Sequence, residues 1–261
     1  MLGWTQDPTN VVSHRPWPLP QGLWIMAQRW SDLLFAHWPV DAGALRALVP
    51  DSLPLDLFEN EAWISVAAFY LSHLRARWLP ALPVVSEFPE LNVPTYVTLG
   101  GKPGVFFFSL DAGSALAVAA ARATYFLPYF RANMSIRAAA DGTLQYRSRR
   151  TDSRGRPAEL RARYRPTGPI SRAKPGTLDH WLTERYCLYS ADHAARVRRA
   201  EIHHHQWPLQ PAHAELEVNT MASAAGIQLP PTGPRLSFAS HLDVVVWAPV
   251  RVDDTNQSGL R

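Results

Sequence analysis

Cysteine is nearly missing from this chain of 261 residues: Cys187 is the single one, so no internal disulfide can form. That usage suits a reducing compartment. Lysine is almost as scarce. Of 26 basic side chains only Lys102 and Lys174 are lysine, so 24 arginines carry nearly all the positive charge against 22 acidic residues. Few amines are therefore on hand for covalent chemistry on a carbonyl. Long apolar runs are missing too. Stretches such as Val244-Val245-Val246-Trp247-Ala248 fall far short of the roughly 20 residues a membrane helix needs. Met1 to Pro20 is polar and Pro-rich, without the basic-then-apolar order of a secretory signal. These absences together predict a cytoplasmic protein with no membrane partner. No Gly-x-Ser-x-Gly elbow, phosphate loop or dinucleotide fingerprint occurs. Gly100-Gly101-Lys102-Pro103-Gly104 reads as a turn between strands, with Pro103 removing a backbone donor that a phosphate cradle would need.

What is present is apolar and aromatic. A hydrophobic share of 47%, with 10 Trp, 8 Tyr and 10 Phe, excludes disorder. Strand signals dominate. Residues 63–70, 93–99 and 104–110 are β-branched, aromatic or continuously apolar. Residues 129–138, 143–150 and 158–166 read as successive antiparallel strands, the first two joined by the hairpin turn Asp141-Gly142. Residues 186–191, 197–206, 213–219 and 241–247 complete about ten strands. Short helices are expected after Asp41, over 114–125, after Thr177 and over 220–225. The pattern predicts an α+β protein built on a curved, predominantly antiparallel sheet, whose closure into a barrel or cone would hide its edges. Residues 1–22 read as a loose N-terminal arm, 23–251 as a single domain and 252–261 as a flexible tail.

Three polar clusters carry both a functional and a bland reading. Eight arginines between Arg147 and Arg165 fall on two strands and their turn. They could meet phosphates, but Asp152 and Glu159 interrupt them and no nucleic-acid motif is present. A solvated hairpin with no nucleic-acid partner is the expectation. His203-His204-His205 invites a metal, since His203, His205 and Glu201 share a strand face. Adjacent histidines alone are weak grounds, and no metal and no cofactor is expected. Cys187 lies in the aromatic run Tyr186-Cys187-Leu188-Tyr189 and reads as a small buried hydrophobe. More informative is the alternation on otherwise apolar strands. Glu90, Asn92 and Tyr96 share one face, as do Tyr129, Arg131, Asn133 and Ser135. Periodicity leaves open whether those faces see solvent or a lumen.

From Met26 onward the chain resembles the uncharacterised DUF2071, or YqjF-like, family, which is grouped with the acetoacetate decarboxylase superfamily. The carrying motifs include Gln28-Arg29-Trp30-Ser31-Asp32, Phe88-Pro89-Glu90-Leu91-Asn92-Val93, Gly104-Val105-Phe106-Phe107-Phe108-Ser109, Leu127-Pro128-Tyr129-Phe130-Arg131-Ala132 and Leu182-Thr183-Glu184-Arg185-Tyr186. The resemblance covers about residues 24–250 and implies an acetoacetate-decarboxylase-like β-barrel or cone around a polar cavity. Decarboxylases of that superfamily form a Schiff base on a lysine within Phe-Pro-Lys-Lys-x-Ala. The matching stretch here puts Tyr129 at the nucleophile's place and Phe130 beside it, so Schiff-base decarboxylation is not expected. The superfamily's cavity glutamate matches Glu90.

The resulting expectation is a pocket for an anionic or carbonyl metabolite, a small molecule that can bear a carboxylate. In it Glu90 is the base, Tyr129 the acid and Arg131 the anion clamp. Asn92 and Tyr96 also bind ligand, with Ser109, Glu201 and His203 as further candidates. If the protein is an enzyme, lyase, isomerase or hydrolase chemistry without a covalent intermediate is what these groups permit. The alternatives are a metabolite-binding or sensor module without turnover, or an assembly protein acting through the Arg-rich hairpin. Oligomerisation of the superfamily's decarboxylases makes a homo-oligomer compatible with the resemblance.

Overall fold

The computed structural model describes residues 7–81, 86–192, 194 and 196–252. Its long strands are β1 (Met26–Val40), β2 (Ala62–Ala76), β3 (Phe88–Leu99), β4 (Lys102–Ala112), β5 (Tyr129–Ala138), β6 (Leu144–Arg150), β7 (Glu159–Pro166), β8 (Cys187–Ala191), β9 (Val197–His204), β10 (Leu209–Asn219) and β11 (Arg235–Val246), followed by the two-residue β12 (Val250–Arg251). Four short helices intervene: α1 (Ala42–Arg46), α2 (Ala115–Tyr125), α3 (Leu178–Thr183) and α4 (Met221–Ala224). Asp41, Ser114 and Thr177 cap the first three, the side-chain oxygen of each accepting from a backbone N–H of the first turn.

The sheet runs β12-β9-β8-β4-β3-β2-β1-β11-β10-β7-β6-β5, and two extra pairings, β4–β5 and β9–β11, fold it back on itself. The first closes a nine-stranded mixed barrel through β4, β5, β6, β7, β10, β11, β1, β2 and β3. The second closes a smaller ring through β9, β8, β4, β3, β2, β1 and β11. Only the pairings of β4 with β5 and with β8 are parallel among those described.

Strands β1 to β4 and β11 belong to both rings, and within this shared wall β2 and β3 read as largely apolar sequence and are buried on both faces. One face (Leu34, Ala36, Ile64, Val66, Leu91 and Val93) packs on Tyr146, Leu160, Ala162 and Tyr164 and fills the nine-stranded barrel with side chains. The other face opens onto a cavity in the smaller ring. A bulge at Asp32, whose φ is 53°, shifts the β1–β2 register between Ser31 and Leu34. Even-numbered positions of β1 (Met26, Gln28 and Trp30) therefore line the cavity before it, and odd ones (Leu33 and Phe35) after it.

Two sequence expectations change. The Pro-rich stretch that reads as loop up to residue 94 contains β3 from Phe88 onward, and Pro94 lies at a register shift against β4, where a missing ladder donor is tolerated. The arm that reads as loose is seated on the barrel from Pro8 to Gly22. Arg15 is buried and donates to the Ile202 carbonyl and Glu201, Trp17 donates to Glu201, and Trp247 donates to the Gly22 carbonyl. Buried pairing and stacked aromatics hold it despite the prolines. The expected flexible tail lies outside the described residues beyond Val252.

The parallel contact of β4 with β8 depends on Gly104. A Cβ there would stand 2.6 Å from the Cys187 carbonyl oxygen, 2.7 Å from its Sγ and 2.8 Å from Tyr189 Cε2. Gly104→Ala is expected to cost about 1–3 kcal/mol by overpacking, read as a lowered denaturation midpoint. Gly233→Ala, where a Cβ meets nothing within 4 Å, is the control and should stay within about 0.5 kcal/mol of the parent. Equal midpoints for the two variants would refute the close approach.

Candidate functional site

The cavity has a volume of about 260 Å³, near the small end of ligand pockets, which start at about 300 Å³. Its walls come from the inward faces of β1 to β4, β8 and β9, with α2 and α3 also contributing. Most of the lining is apolar, so the few polar groups in it stand out.

One polar cluster lies beside α2. Glu90 is 4% exposed, and its Oε1 accepts from Asn92 Nδ2 at 3.0 Å and from the Tyr129 hydroxyl at 3.2 Å. Burial pushes the Glu90 carboxyl up to about 7, only partly offset by those two donors. Burial, and then the Glu90 charge, raise the Tyr129 phenol well above its ordinary range, so it stays a donor. Tyr125, from α2, faces the same cavity; its hydroxyl is buried without a partner and burial raises it to about 12. Asn92 Oδ1 is likewise buried and unpartnered. The geometry supplies a carboxyl poised near neutrality, a phenol donor hydrogen-bonded to it, and buried acceptor and donor atoms whose hydrogen bonds are unmade.

A second polar cluster lies beside α3. Arg185 follows that helix, is 6% exposed, and stacks its guanidinium 5.0 Å from the Tyr96 ring centroid and 4.4 Å from that of Trp181. Nε donates to the Trp181 carbonyl at 2.6 Å and Nη1 to Asp56, while Nη2 is buried with no partner. The Tyr96 hydroxyl lies 3.1 Å from His37 Nδ1. Burial lowers His37 to about 3, so its ring is neutral at pH 7, and burial raises the Tyr96 phenol.

The structure thus brings Glu90, Asn92, Tyr96 and Tyr129 onto one cavity and separates the other expected residues from it. Arg131 is the main correction. Its side chain is exposed in a surface depression with Ala115, Ala119, Asp152 and Arg154. Helix α2 intervenes, turning Ala117, Ala120, Ala121 and Thr124 to the cavity and Ala115, Val118 and Ala119 to that depression. Ser109 is buried but outside the lining, because the β3–β4 register shift at Val93 and Pro94 moves the cavity-facing positions of β4 from Val105 and Phe107 to Leu110.

Glu201 and His203 do share a face of β9, yet it is the outer one. Glu201 accepts from Arg15 at 2.6 Å, Lys102 at 2.5 Å and Trp17 at 2.8 Å. Burial opposes its charge, but Lys102, Trp17 and Arg15 outweigh it and hold the carboxyl below its usual range. His203 Nε2 lies 3.0 Å from the Pro8 carbonyl and 3.2 Å from that of Val11, under the docked arm, and burial lowers it to about 4. Among the described residues no group of three His, Cys, Asp or Glu side chains is placed to hold a metal ion.

Neither lysine lines the cavity. In the Arg-rich hairpin Arg147, Arg149, Arg161, Arg163 and Arg165 are exposed, while Arg150 is buried against Asp111. The residues that sequence reasoning missed are Arg185 and His204, the latter lining the cavity and stacked on Tyr186. Both stand in motifs quoted for the family resemblance or in the His run, but no strand alternation marks Arg185, which lies just past a helix.

The profile of the DUF2071 family, described as an uncharacterized conserved protein, matches residues 27–243. The uncharacterized protein YqjF of Bacillus subtilis (strain 168) is 49% identical over 229 residues, covering 88% of this chain and 93% of YqjF. Among solved structures, the enduracididine biosynthesis enzyme MppR complexed with pyruvate is similar at a TM-score of 0.62 and 12% identity, covering 92% of this chain and 94% of that one. The acetoacetate decarboxylase of Legionella pneumophila is similar at 0.58 and 13% identity, covering 98% and 99%. At such identities these likenesses show an acetoacetate-decarboxylase-like barrel.

Proposed function

The chain belongs to the DUF2071 family, and we propose that its cavity binds a small anionic or carbonyl metabolite on which Glu90 and Tyr129 act as an acid/base pair. The observation that carries this reading is the buried Glu90 carboxyl, raised to about 7 and hydrogen-bonded to Tyr129 inside an apolar cavity. A catalytic acid or base works best when it titrates near the operating pH. The solved MppR complex, with pyruvate bound, supports a carbonyl-bearing acid as the ligand class for a barrel of this kind. With no lysine in the lining, chemistry through an imine has no amine to start from. Ionised Glu90 would instead take the proton from the carbon next to a carbonyl, while the Tyr129 hydroxyl donates to the carbonyl oxygen. The enolate then regains that proton from Glu90 at the same carbon, which is exchange or epimerisation, or, where a double bond is conjugated to it, at the far carbon, which is an isomerisation. A β-hydroxyl is instead expelled by the enolate as Glu90 returns the proton to its oxygen, so that water leaves, which is a dehydration. The anion-clamp role falls to Arg185, since Arg131 lies outside the cavity.

The test is deuterium wash-in next to the carbonyl of keto acids incubated with the protein in heavy water. Wild type should exchange with a rate that rises through a pH near 7 as Glu90 ionises, and Glu90→Gln should lower the rate by about 10²–10⁴-fold while ligand-induced stabilisation persists. Exchange by Glu90→Gln at the wild-type rate would reject the assignment. Ligand-induced stabilisation with no exchange at all would mark a binding module instead.

A further inference from the structure

The two polar clusters in the cavity stand apart, and their separation constrains what can touch both. Glu90, Asn92, Pro94 and Tyr96 are successive cavity-facing positions of β3. At about 3.3 Å per residue the Cα atoms of Glu90 and Tyr96 lie roughly 20 Å apart. The Glu90–Tyr129 pair is at the α2 end and the Arg185 guanidinium is over the Tyr96 ring at the α3 end. Strand side chains stand roughly perpendicular to the sheet, so the two groups stay on the order of 10–20 Å apart. Most of the remaining wall is apolar, including Trp30, Phe35, Phe69, Phe107 and Leu182, with Gln28 and Ser65 among its polar exceptions. A two- or three-carbon acid can reach one cluster only.

We infer that the ligand is an elongated monocarboxylic acid of medium chain length, its carboxylate on Arg185 Nη2 and its reacting carbonyl beside Glu90 and Tyr129. Two independent features support this. Nη2 is a cationic donor, buried and without a partner, and a buried donor left unmade is costly until a ligand supplies the acceptor. The opposite cluster likewise keeps Tyr125 and Asn92 with unmade hydrogen bonds. An apolar chain of about eight carbons or more, with bonds of roughly 1.5 Å set zigzag, is needed to bridge such a distance. The Asp56 carboxylate already neutralises part of the Arg185 charge, so the site selects a single carboxylate over a dianion. This inference rests on the reading of Glu90 and Tyr129 as the reacting pair.

Thermal stabilisation of the intact protein is the readout, with straight-chain acids from acetate to decanoate, octanamide as the uncharged match, and pyruvate as the short keto acid. Affinity should rise with chain length from acetate to octanoate or beyond, and octanoate should bind at least tenfold more tightly than octanamide. Arg185→Gln should erase that preference and Arg185→Lys should keep part of it. If either variant fails to fold, the octanoate–octanamide comparison on wild type still decides. A keto group at the far end of the chain should tighten binding further, and Tyr129→Phe should remove that gain. Pyruvate binding more tightly than octanoate, with dependence on Glu90, would overturn the span and leave the proposed acid/base site standing. Octanoate and octanamide binding equally would overturn the role of Arg185. Failure of every acid to bind would sink both readings. An octanoate preference without a far-end keto effect would uphold the carboxylate subsite and overturn the placement of the carbonyl.

Discussion

Glu90→Gln is expected to melt well above the wild-type protein at pH 8 and level with it at pH 4. The ordinary carboxyl value is 4.5 and burial in the cavity raises it to about 7. Below 4.5 the group is protonated in both folded and unfolded chains, and folding costs nothing extra. Between 4.5 and 7 the folded protein holds a proton that the unfolded chain has released, so stability falls as pH rises. Above 7 the charge is carried in both states and the full difference is felt, on the order of 3 kcal/mol. Gln keeps the shape and an acceptor for Tyr129 and Asn92 but cannot ionise. The variant should therefore gain roughly 6–12 °C at pH 8, at about 2–4 °C per kcal/mol for a chain of this size. Calorimetry of the two proteins across pH 4 to 8 checks it. An offset that does not change with pH would mean that Glu90 is not held neutral by its surroundings. A carboxyl retained at such a cost, in a cavity, is what an acid/base role explains and a packing role does not.

Much of the barrel is legible in the sequence wherever period-two alternation runs unbroken. The hairpin β5–β6–β7 reads directly because Asp141-Gly142 supplies its turn, with Gly142 at φ 79°. Strand β1 does not, because the Asp32 bulge switches its inward face midway and no single period describes it. The same limit governs the site. Glu90, Asn92 and Tyr96 fall together because β3 presents them in steps of two to one lumen. Tyr129 and Arg131 keep the same step, but α2 lies across that face and divides them. Alternation also assigns faces without saying which is inside. Glu201 and His203 share a face as expected, and it is the one that the N-terminal arm covers. Arg185 was beyond reach of pattern reasoning. It is one of 24 arginines, it follows a six-residue helix, and only the closed ring brings it to Tyr96.

Arg150→Met is expected to destabilise the protein by about 3–5 kcal/mol, because it strands a charge in the wall between the two rings. Asp111 is fully buried on β4, between β3 and β5. Its only ion-pair partner among the described residues is Arg150, which reaches across from β6 with Nη2 at 2.6 Å from Oδ1 and Nε at 3.0 Å from Oδ2. The guanidinium also sits 4.1 Å from the centroid of the Phe130 ring. Burial already raises the Asp111 carboxyl even though Arg150 opposes it, so desolvation is the larger influence and losing the cation leaves nothing to balance it. The sign of the pH effect follows. A carboxyl raised in the folded state destabilises as pH rises past its unfolded value, so the loss in Arg150→Met should be largest at pH 7 to 8 and shrink towards pH 4. The partner experiment separates charge from packing. Asp111→Leu combined with Arg150→Met removes both charges and fills their volume, and such replacements are often neutral or stabilising. The double variant should recover most of the lost stability in urea denaturation at pH 7.5. A double variant no more stable than Arg150→Met alone would show that the arginine works by packing on Phe130, with its charge incidental to the closure of the barrel.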